Sequence, residues 1–467
     1  MRKTDWRPFA ALMIAAAALR FATIDVQSFW FDEALTAKLL RLPLGEMLSQ
    51  LPDTELTPPL YYLLAWPWAH IFGSDEAALR SLSALFGIAT VPVAYHAARE
   101  IIGTRSAALA TAALVAFNPL LVWYSQEARP YSLLVLLCAL SMLFAARRQV
   151  WWWALASSLA LLTHYFAAFL VVPEGLWLAW VCRAYLAPVL VGLVGAALIP
   201  LAAYERSKIG TGYIEGVSLS RRVIGVPEDF LTGFVVKFDT TREQLLDAFA
   251  LALAGVGVVL ALRLRNRGVL LAAGAALCAA GIPLLLALAG QDFLNTRNVI
   301  AACVPALIVI GAGLRWGAVL LCAVGLACVV LVAADDTFQR ENWRGIAQAM
   351  GPARSARVVV VPPVSGVVGL EVQVSGLERM PAAGVSVSEV DIATPRSTEL
   401  GGALSGRPAR PQPPAPGFRL AERRYDDTFT LLRWVAPRPV RVDAAGLTVA
   451  ARGVVLSPVL LVQPLGR

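Results

Sequence analysis

The sequence predicts an α-helical polytopic membrane protein of about 11 transmembrane helices, followed by a small α/β domain outside the membrane. Three observations predict it. Hydrophobic residues make up 58% of the 467 and charged residues 15%, with a mean hydropathy of +0.65, which is more apolar surface than one water-soluble core can hide. The apolar runs are mostly 17 to 22 residues long, enough to cross about 30 Å of hydrocarbon as helices, and they lack the alternation of barrel strands. After Asp335 the composition shifts to Pro, Gly, Val and Arg.

The chain opens "MRKTDWRPFAALMIAAAALRFATI", a basic stub and an apolar run with no small-residue cleavage site, so it reads as a retained first span. Basic clusters follow at Arg99 and Arg105, Arg147 and Arg148, Arg183, Arg263 to Arg267, and Arg315. Taken as cytoplasmic turns, they bound crossings at about 8–25, 80–98, 106–123, 131–146, 150–163, 166–182, 185–203, 244–262, 268–289, 297–314 and 317–334. The N-terminus is then cytoplasmic and the C-terminal domain extracytoplasmic. The +8 net charge is spent on orientation and gives no reason to invoke nucleic acid.

"PPLYYLLAWPWAHIFG", 58–73, is read as a short helix in the outer interface, held by Trp66, Trp68 and His70. Counting it as a crossing would put "LRLRNRG" outside. The outer face then collects loops 26–79, 124–130, 204–243 and 290–297, with the "THYF" turn at 163–166. Polar, ionisable and aromatic residues thus gather on one side of the membrane. Residues 1–334 form the transmembrane domain and 335–467 the outer one, where "RENWRGIAQAMGPARSARVVVVPP" reads as an amphipathic helix, a linker and a buried strand, and "RPARPQPPAPG" as an extended Pro-rich loop.

Ionisable groups at a membrane boundary are costly and invite a functional reading. In "FWFDEALTAK", Asp32 and Glu33 open an outer helix. They either stabilise its first turn or supply a general base that deprotonates an acceptor. In "YSQEARPYSLL", Glu127 and Arg129 either pair with each other or hold a sugar hydroxyl and an anion. His164 is structural or part of a site. Arg297 either snorkels or grips a phosphate, and Lys237 and Arg242 are weaker candidates for the same task.

The six cysteines lie in apolar runs without CxxC spacing and read as small core hydrophobes. The three histidines are scattered and no run of acids extends the pair Asp32 and Glu33, so no metal cage is expected. A divalent ion shared by one carboxylate and a ligand phosphate is the remaining metal option. No G-x-G-x-x-G or Walker pattern occurs, so no nucleotide cofactor is expected.

Taken in order, "FWFDEALTAKLL", "TPPLYYLLAWPWAHIFGSDEAALRSLSALFGIATVPVAYHAAREIIGTRSAALATAALVAFNPLLVWYSQEARPYSLL", "THYFAAFLVVPE" and "TRNVIAACVPAL" resemble the glycosyltransferase C superfamily, with a fainter extension to "ENWRGIAQAM". Within it the chain is similar to protein O-mannosyltransferases and the bacterial aminoarabinose transferase of lipid A, the glycosyltransferase family 39-like group. The resemblance implies a GT-C fold and an inverting transfer from a polyprenyl-phosphate sugar to a protein, lipid or polysaccharide acceptor on the outer face of a bacterial plasma membrane. It implies Asp32 as general base with Glu33 beside it, and Arg297 near the lipid phosphate. The expectation built on this adds Arg129 on the phosphate and a sugar pocket shaped by Glu33, Glu127 and His164, with Tyr61 and Tyr165 as further substrate-binding candidates. One departure is Thr57, before Pro58 and Pro59, where relatives commonly carry His. The rival readings are a transporter or flippase of lipid-linked sugars, which favours charges strung across the bilayer, and a non-catalytic cell-envelope scaffold.

Overall fold

A computed structural model describes residues 6–209, 214, 216–233, 241–395 and 410–464, the side chain of Arg242 excepted. The chain forms two compact units, one of residues 1–24 and 39–331 and the other of 25–38 and 332–467.

The first unit is helical, and each of the eleven expected crossings falls on helix. Among the described residues six helices are long and apolar enough to cross a membrane, counting Thr296–Ala334 once, or seven if one bent pair forms a single span. The difference from eleven has three physical sources. Thr296–Ala334 holds two expected crossings, separated by a 3-10 turn at Arg315–Gly317. Arg105–Phe117 and Pro119–Ser125 meet at 54°. Arg7–Phe21, Tyr131–Ala146 and Val150–Thr163 have only 15, 16 and 14 residues.

The expected basic turns share a backbone device. Arg148, Arg183, Arg265 and Arg315 all have positive φ, between 48° and 56°, a conformation that helix ends usually give to glycine. A side chain there costs about 1–2 kcal/mol. In return each turn keeps a cation beside the last carbonyls of a helix.

The bend at 117–119 has a sequence cause. Pro119 removes an N–H and drives Asn118 out of helical geometry, to ψ 121°. Asn118 then caps the new helix, accepting from the Leu121 N–H at 2.9 Å, and donates to the Phe230 carbonyl at 2.7 Å. The carbonyls freed by the break are met by Arg20, a fully buried arginine of the first helix. Its guanidinium donates to the carbonyls of Ala116 at 3.1 Å and Val115 at 3.3 Å and to Ser125 Oγ at 3.0 Å. Gly87 is required opposite, since a Cβ there would collide with the Ser125 side chain.

The interfacial segment is a 13-residue helix, Leu60–Phe72, about 20 Å long and too short to cross hydrocarbon. Trp66 Nε1 donates to the Leu42 carbonyl at 2.9 Å and Trp68 Nε1 to that of Ala78 at 3.0 Å. The stretch expected as a 204–243 loop instead continues a long helix to Lys208 and contains an amphipathic helix, Leu219–Thr232. Its apolar face was masked in the sequence by two arginines and two acids. Lys237 and the side chain of Arg242 lie outside the described residues.

The second unit carries a six-stranded sheet of β1 (357–361), β2 (378–379), β3 (385–395), β4 (419–425), β5 (429–442) and β6 (459–463), in the order β2-β6-β1-β3-β5-β4. β1 runs parallel to β3 and the other pairings are antiparallel. The run "VVVV" is buried on both faces, as a central strand requires. Val358 and Val360 pack with Ile392, Trp434 and Leu447. Val359 and Val361 pack with Ile346, Leu370 and Leu431 on the other side.

One buried ion network ties β1, β3 and β5 to the end of helix Trp343–Met350. Asp391 receives Arg433 Nε at 2.9 Å and Arg357 Nη1 at 3.1 Å. Arg357 also reaches Gln463 and the carbonyls of Met350 and Gly351. Arg433 also reaches Glu422 and the carbonyls of Ala349 and Met350. Of the Pro-rich loop, 410–417 runs through bends and turns, and 407–409 lie outside the described residues.

Candidate functional site

Asp32 and Glu33 occupy the first turn of helix Phe31–Leu40, where the helix dipole favours acids. They point apart and have different fates. Glu33 is fully buried and pairs with the buried Arg340 at 3.9 Å. Asp32 is half-exposed, and its carbonyl accepts from Thr36 Oγ1 at 3.0 Å.

The segment around the two acids is laced to the start of the C-terminal domain within the second unit. Gln27 Oε1 accepts from the Arg340 N–H at 3.2 Å, and Ser28 Oγ from the Arg344 N–H at 3.0 Å. Arg344 Nη1 binds Asp25 Oδ1 at 3.0 Å, its Nη2 reaches the Asp25 and Val26 carbonyls, and Lys38 pairs with Glu371 at 2.5 Å. Thus "FWFDEALTAK" and "RENWRGIAQAM", far apart in sequence, fold together.

In the first unit a second set of polar residues gathers at helix ends. Arg129 follows helix Pro119–Ser125 and precedes Pro130, the boundary of helix Tyr131–Ala146. Its Nη1 meets Glu55 Oε1 at 2.6 Å and Tyr62 Oη at 3.1 Å, all three residues buried. Tyr61 Oη lies 3.3 Å from Ser83 Oγ, and Ser83 in turn reaches the Arg129 carbonyl. Gln126 fastens the loop to the first helix by donating to the carbonyls of Leu19 and Arg20 and to Thr23 Oγ1. Glu127 is buried in the same loop.

His164 ends helix Val150–Thr163, and its Nδ1 accepts from the Phe166 N–H at 3.3 Å. Its ring lies 5.8 Å from that of Tyr131, which lies 4.7 Å from that of Tyr124. Burial, with the positive charges of Arg297 and Arg129 nearby, pushes its pKa down to about 3. It is therefore neutral near pH 7, fit to orient a ligand and not to carry positive charge.

Next to it, Tyr165 Oη donates to Glu205 Oε2 at 2.9 Å. Arg297 is half-buried in the 3-10 turn Thr296–Ala302, whose start Asn295 caps. That turn is braced by Thr296 Oγ1 on Asp229 at 2.5 Å and, just before it, by a two-pronged contact of Arg222 with Asp292 at 2.7 and 2.5 Å. The Arg222 guanidinium holds the Asp292 carboxyl below the ordinary aspartate range.

A cluster of this kind, with two arginines, five tyrosines and a neutral histidine beside buried acids, can bind a phosphate and a polyhydroxylated ring. Residues 57–204 match the family model described as dolichyl-phosphate-mannose-protein mannosyltransferase. No curated protein matches the chain. Among solved structures, the chain is similar to ArnT from Cupriavidus metallidurans bound to undecaprenyl phosphate, at 13% identity over 92% of this chain and 98% of that one, with a TM-score of 0.42. It is also similar to the Archaeoglobus fulgidus oligosaccharyltransferase in complex with Zn and sulfate, at 14% identity over 73% of this chain and 55% of that one, with a TM-score of 0.41.

The resemblance read from the motifs is therefore met by a mannosyltransferase-type match over the stretch that carries Tyr61, Glu127, Arg129, His164 and Tyr165. Arg297 follows it in the same unit, while Asp32 and Glu33 belong to the other. The match supports a membrane glycosyltransferase.

Several participants were not anticipated from the sequence. A carboxylate that pairs with Arg129 is Glu55, 74 residues earlier, which carries no local sign of that pairing. Arg20, Tyr62, Glu205 and Arg340 had also not been singled out. For Arg20 and Glu205 a signal existed, an ionisable residue within or at the end of an apolar run. For Arg340 there was none, because pairing across the chain has no local signature. Among the described residues no group of three or more His, Cys, Asp or Glu side chains is arranged to hold a metal ion.

Proposed function

We propose that the protein transfers a sugar from a polyprenyl-phosphate donor to an acceptor on the outer face of a bacterial plasma membrane. In this reading the N-terminus is cytoplasmic and the C-terminal domain extracytoplasmic. The observation that carries it is the match of 57–204 to a family described by a lipid-phosphate-mannose donor. That stretch holds the tyrosines, Arg129 and His164 of the first unit's cluster.

Asp32 is assigned the base and Arg297 the donor phosphate. The acceptor's O–H or N–H loses its proton to the Asp32 carboxylate as its heteroatom bonds to the anomeric carbon. The bond from that carbon to the phosphate oxygen breaks, and polyprenyl phosphate leaves with the electron pair. A phosphate is a good leaving group, so the demand on the protein is to neutralise its charge, to align the attack and to activate the nucleophile. Displacement from the opposite face inverts the anomeric carbon.

Arg129, paired with Glu55, is the second arginine assigned to the donor phosphate beside Arg297. Glu33, held by Arg340, sets the orientation of the helix that bears Asp32.

The test is purified protein with radiolabelled polyprenyl-phosphate sugars and a panel of acceptors. Asp32→Asn is expected to lose about 10²- to 10⁴-fold in turnover with an unchanged melting temperature. Equal turnover by the two proteins overturns the base assignment. Absence of turnover with every donor overturns the reading as a whole.

A further inference from the structure

Glu205 lies near the end of helix Leu186–Lys208 and is 1% exposed. A rise of 1.5 Å per residue from Leu186 places it about 28 Å along the helix, at the far boundary of hydrocarbon about 30 Å thick. One of its carboxylate oxygens, Oε2, accepts from Tyr165 Oη at 2.9 Å. The other, Oε1, is buried and receives no hydrogen bond from the described residues. Glu55 lies within electrostatic reach of Glu205.

Hiding an acceptor oxygen from water without a donor costs roughly 1–3 kcal/mol. The sequence retains that cost at a position where a leucine would pack without one. A ligand that brings a donor removes it.

The neighbours indicate the kind of donor. Tyr165 is followed by Phe166, whose ring lies 5.6 Å from that of Phe293 and 5.1 Å from that of His164. His164 in turn lies within electrostatic reach of Arg297. A cation, an aromatic turn and an acid therefore succeed one another within one unit. That sequence suits a phosphate joined to a ring that is apolar on its faces and studded with O–H or N–H groups at its edge.

We propose that Glu205 Oε1 is the hydrogen-bond acceptor for a hydroxyl or amino group of the sugar on the donor lipid, and that Tyr165 orients the carboxylate. This rests on the glycosyltransferase reading and adds to it a residue that recognises the sugar. Glu205 selects which sugar is held, and the lipid phosphate is bound independently of it.

The test is equilibrium binding of undecaprenyl phosphate, undecaprenyl-phosphate mannose and undecaprenyl-phosphate glucosamine to the full-length protein in nanodiscs. The wild type is expected to prefer at least one sugar-bearing lipid by about tenfold or more, the scale of one charge-assisted hydrogen bond. Glu205→Gln, which keeps shape and the Tyr165 contact, is expected to lose most of that preference while binding bare undecaprenyl phosphate within about twofold of wild type. Tyr165→Phe is expected to lose part of it in the same direction, and a melting curve shows that each variant is folded.

A Glu205→Gln protein with full sugar preference overturns the assignment and leaves the glycosyltransferase reading intact. A wild type that binds none of the three lipids overturns that reading, and this one with it. A loss confined to the mannose lipid identifies a hydroxyl as the donor group, and one confined to the glucosamine lipid an ammonium.

Discussion

Two buried charge clusters in this protein differ in how completely they are satisfied. In the sheet, both oxygens of Asp391 receive arginine donors, and the remaining donors of Arg357 and Arg433 are taken up by Gln463, Glu422 and three carbonyls at the end of a helix. In the membrane unit, Glu205 keeps one buried oxygen without a hydrogen bond from the described residues, although a tyrosine serves the other. A saturated network has nothing left to offer a ligand and holds a fold together. One with an open acceptor holds the fold less economically and is available for recognition. The Arg20 cluster is of the first kind, since the arginine's three nitrogens meet one hydroxyl and three carbonyls.

Substitutions should separate the two kinds. The largest effect on stability is expected from Asp391→Ala, which strands two arginines in a core. About 3–5 kcal/mol should be lost in denaturant unfolding, with turnover per folded molecule unchanged. Arg20→Met comes next, because the Val115 and Ala116 carbonyls at the helix break lose their donor. A loss of about 2–3 kcal/mol is expected in detergent melting, and an unchanged melting temperature would remove Arg20 from the closed class.

A smaller effect comes from pH. His164 has a pKa of about 3 in the fold against about 6.5 unfolded, so between those values the unfolded chain binds a proton that the folded chain does not. Stability should be complete above about pH 6.5 and fall as pH drops toward 3. His164→Asn should flatten that slope, and an unaltered slope would show that the group lies elsewhere. The smallest stability change is expected for Glu205→Gln, which keeps the side chain's shape and whose consequence appears in sugar preference. A large destabilisation there would move Glu205 into the closed class.

The membrane portion was legible because its signals are local. Length, hydropathy and arginine placement located helix at each expected crossing, and the short segment between Pro58 and Gly73 was set apart from them because counting it would put Arg263 to Arg267 outside. The break at Pro119 was absorbed into one expected crossing, although Asn118 and Pro119 side by side carry the signal for a capped restart. The acidic first turn at Asp32 and Glu33 was visible as a pattern. The partner of Glu33 was not, because Arg340 comes from the far side of the chain. Likewise Arg129 was expected beside Glu127, its neighbour in sequence, and folding supplies Glu55 as well. Residue types that suit a site are written locally, whereas the pairings that tune them arise only from tertiary structure.

The folding together of residues 25–38 with the stretch beginning at Arg340 imposes an order of events during synthesis. The acid-bearing helix leaves the ribosome early, but the arginines that fasten it are translated only after every expected crossing has been translated. A nascent or truncated chain therefore holds this helix unfastened, and the finished arrangement is reserved for polypeptides whose insertion is complete.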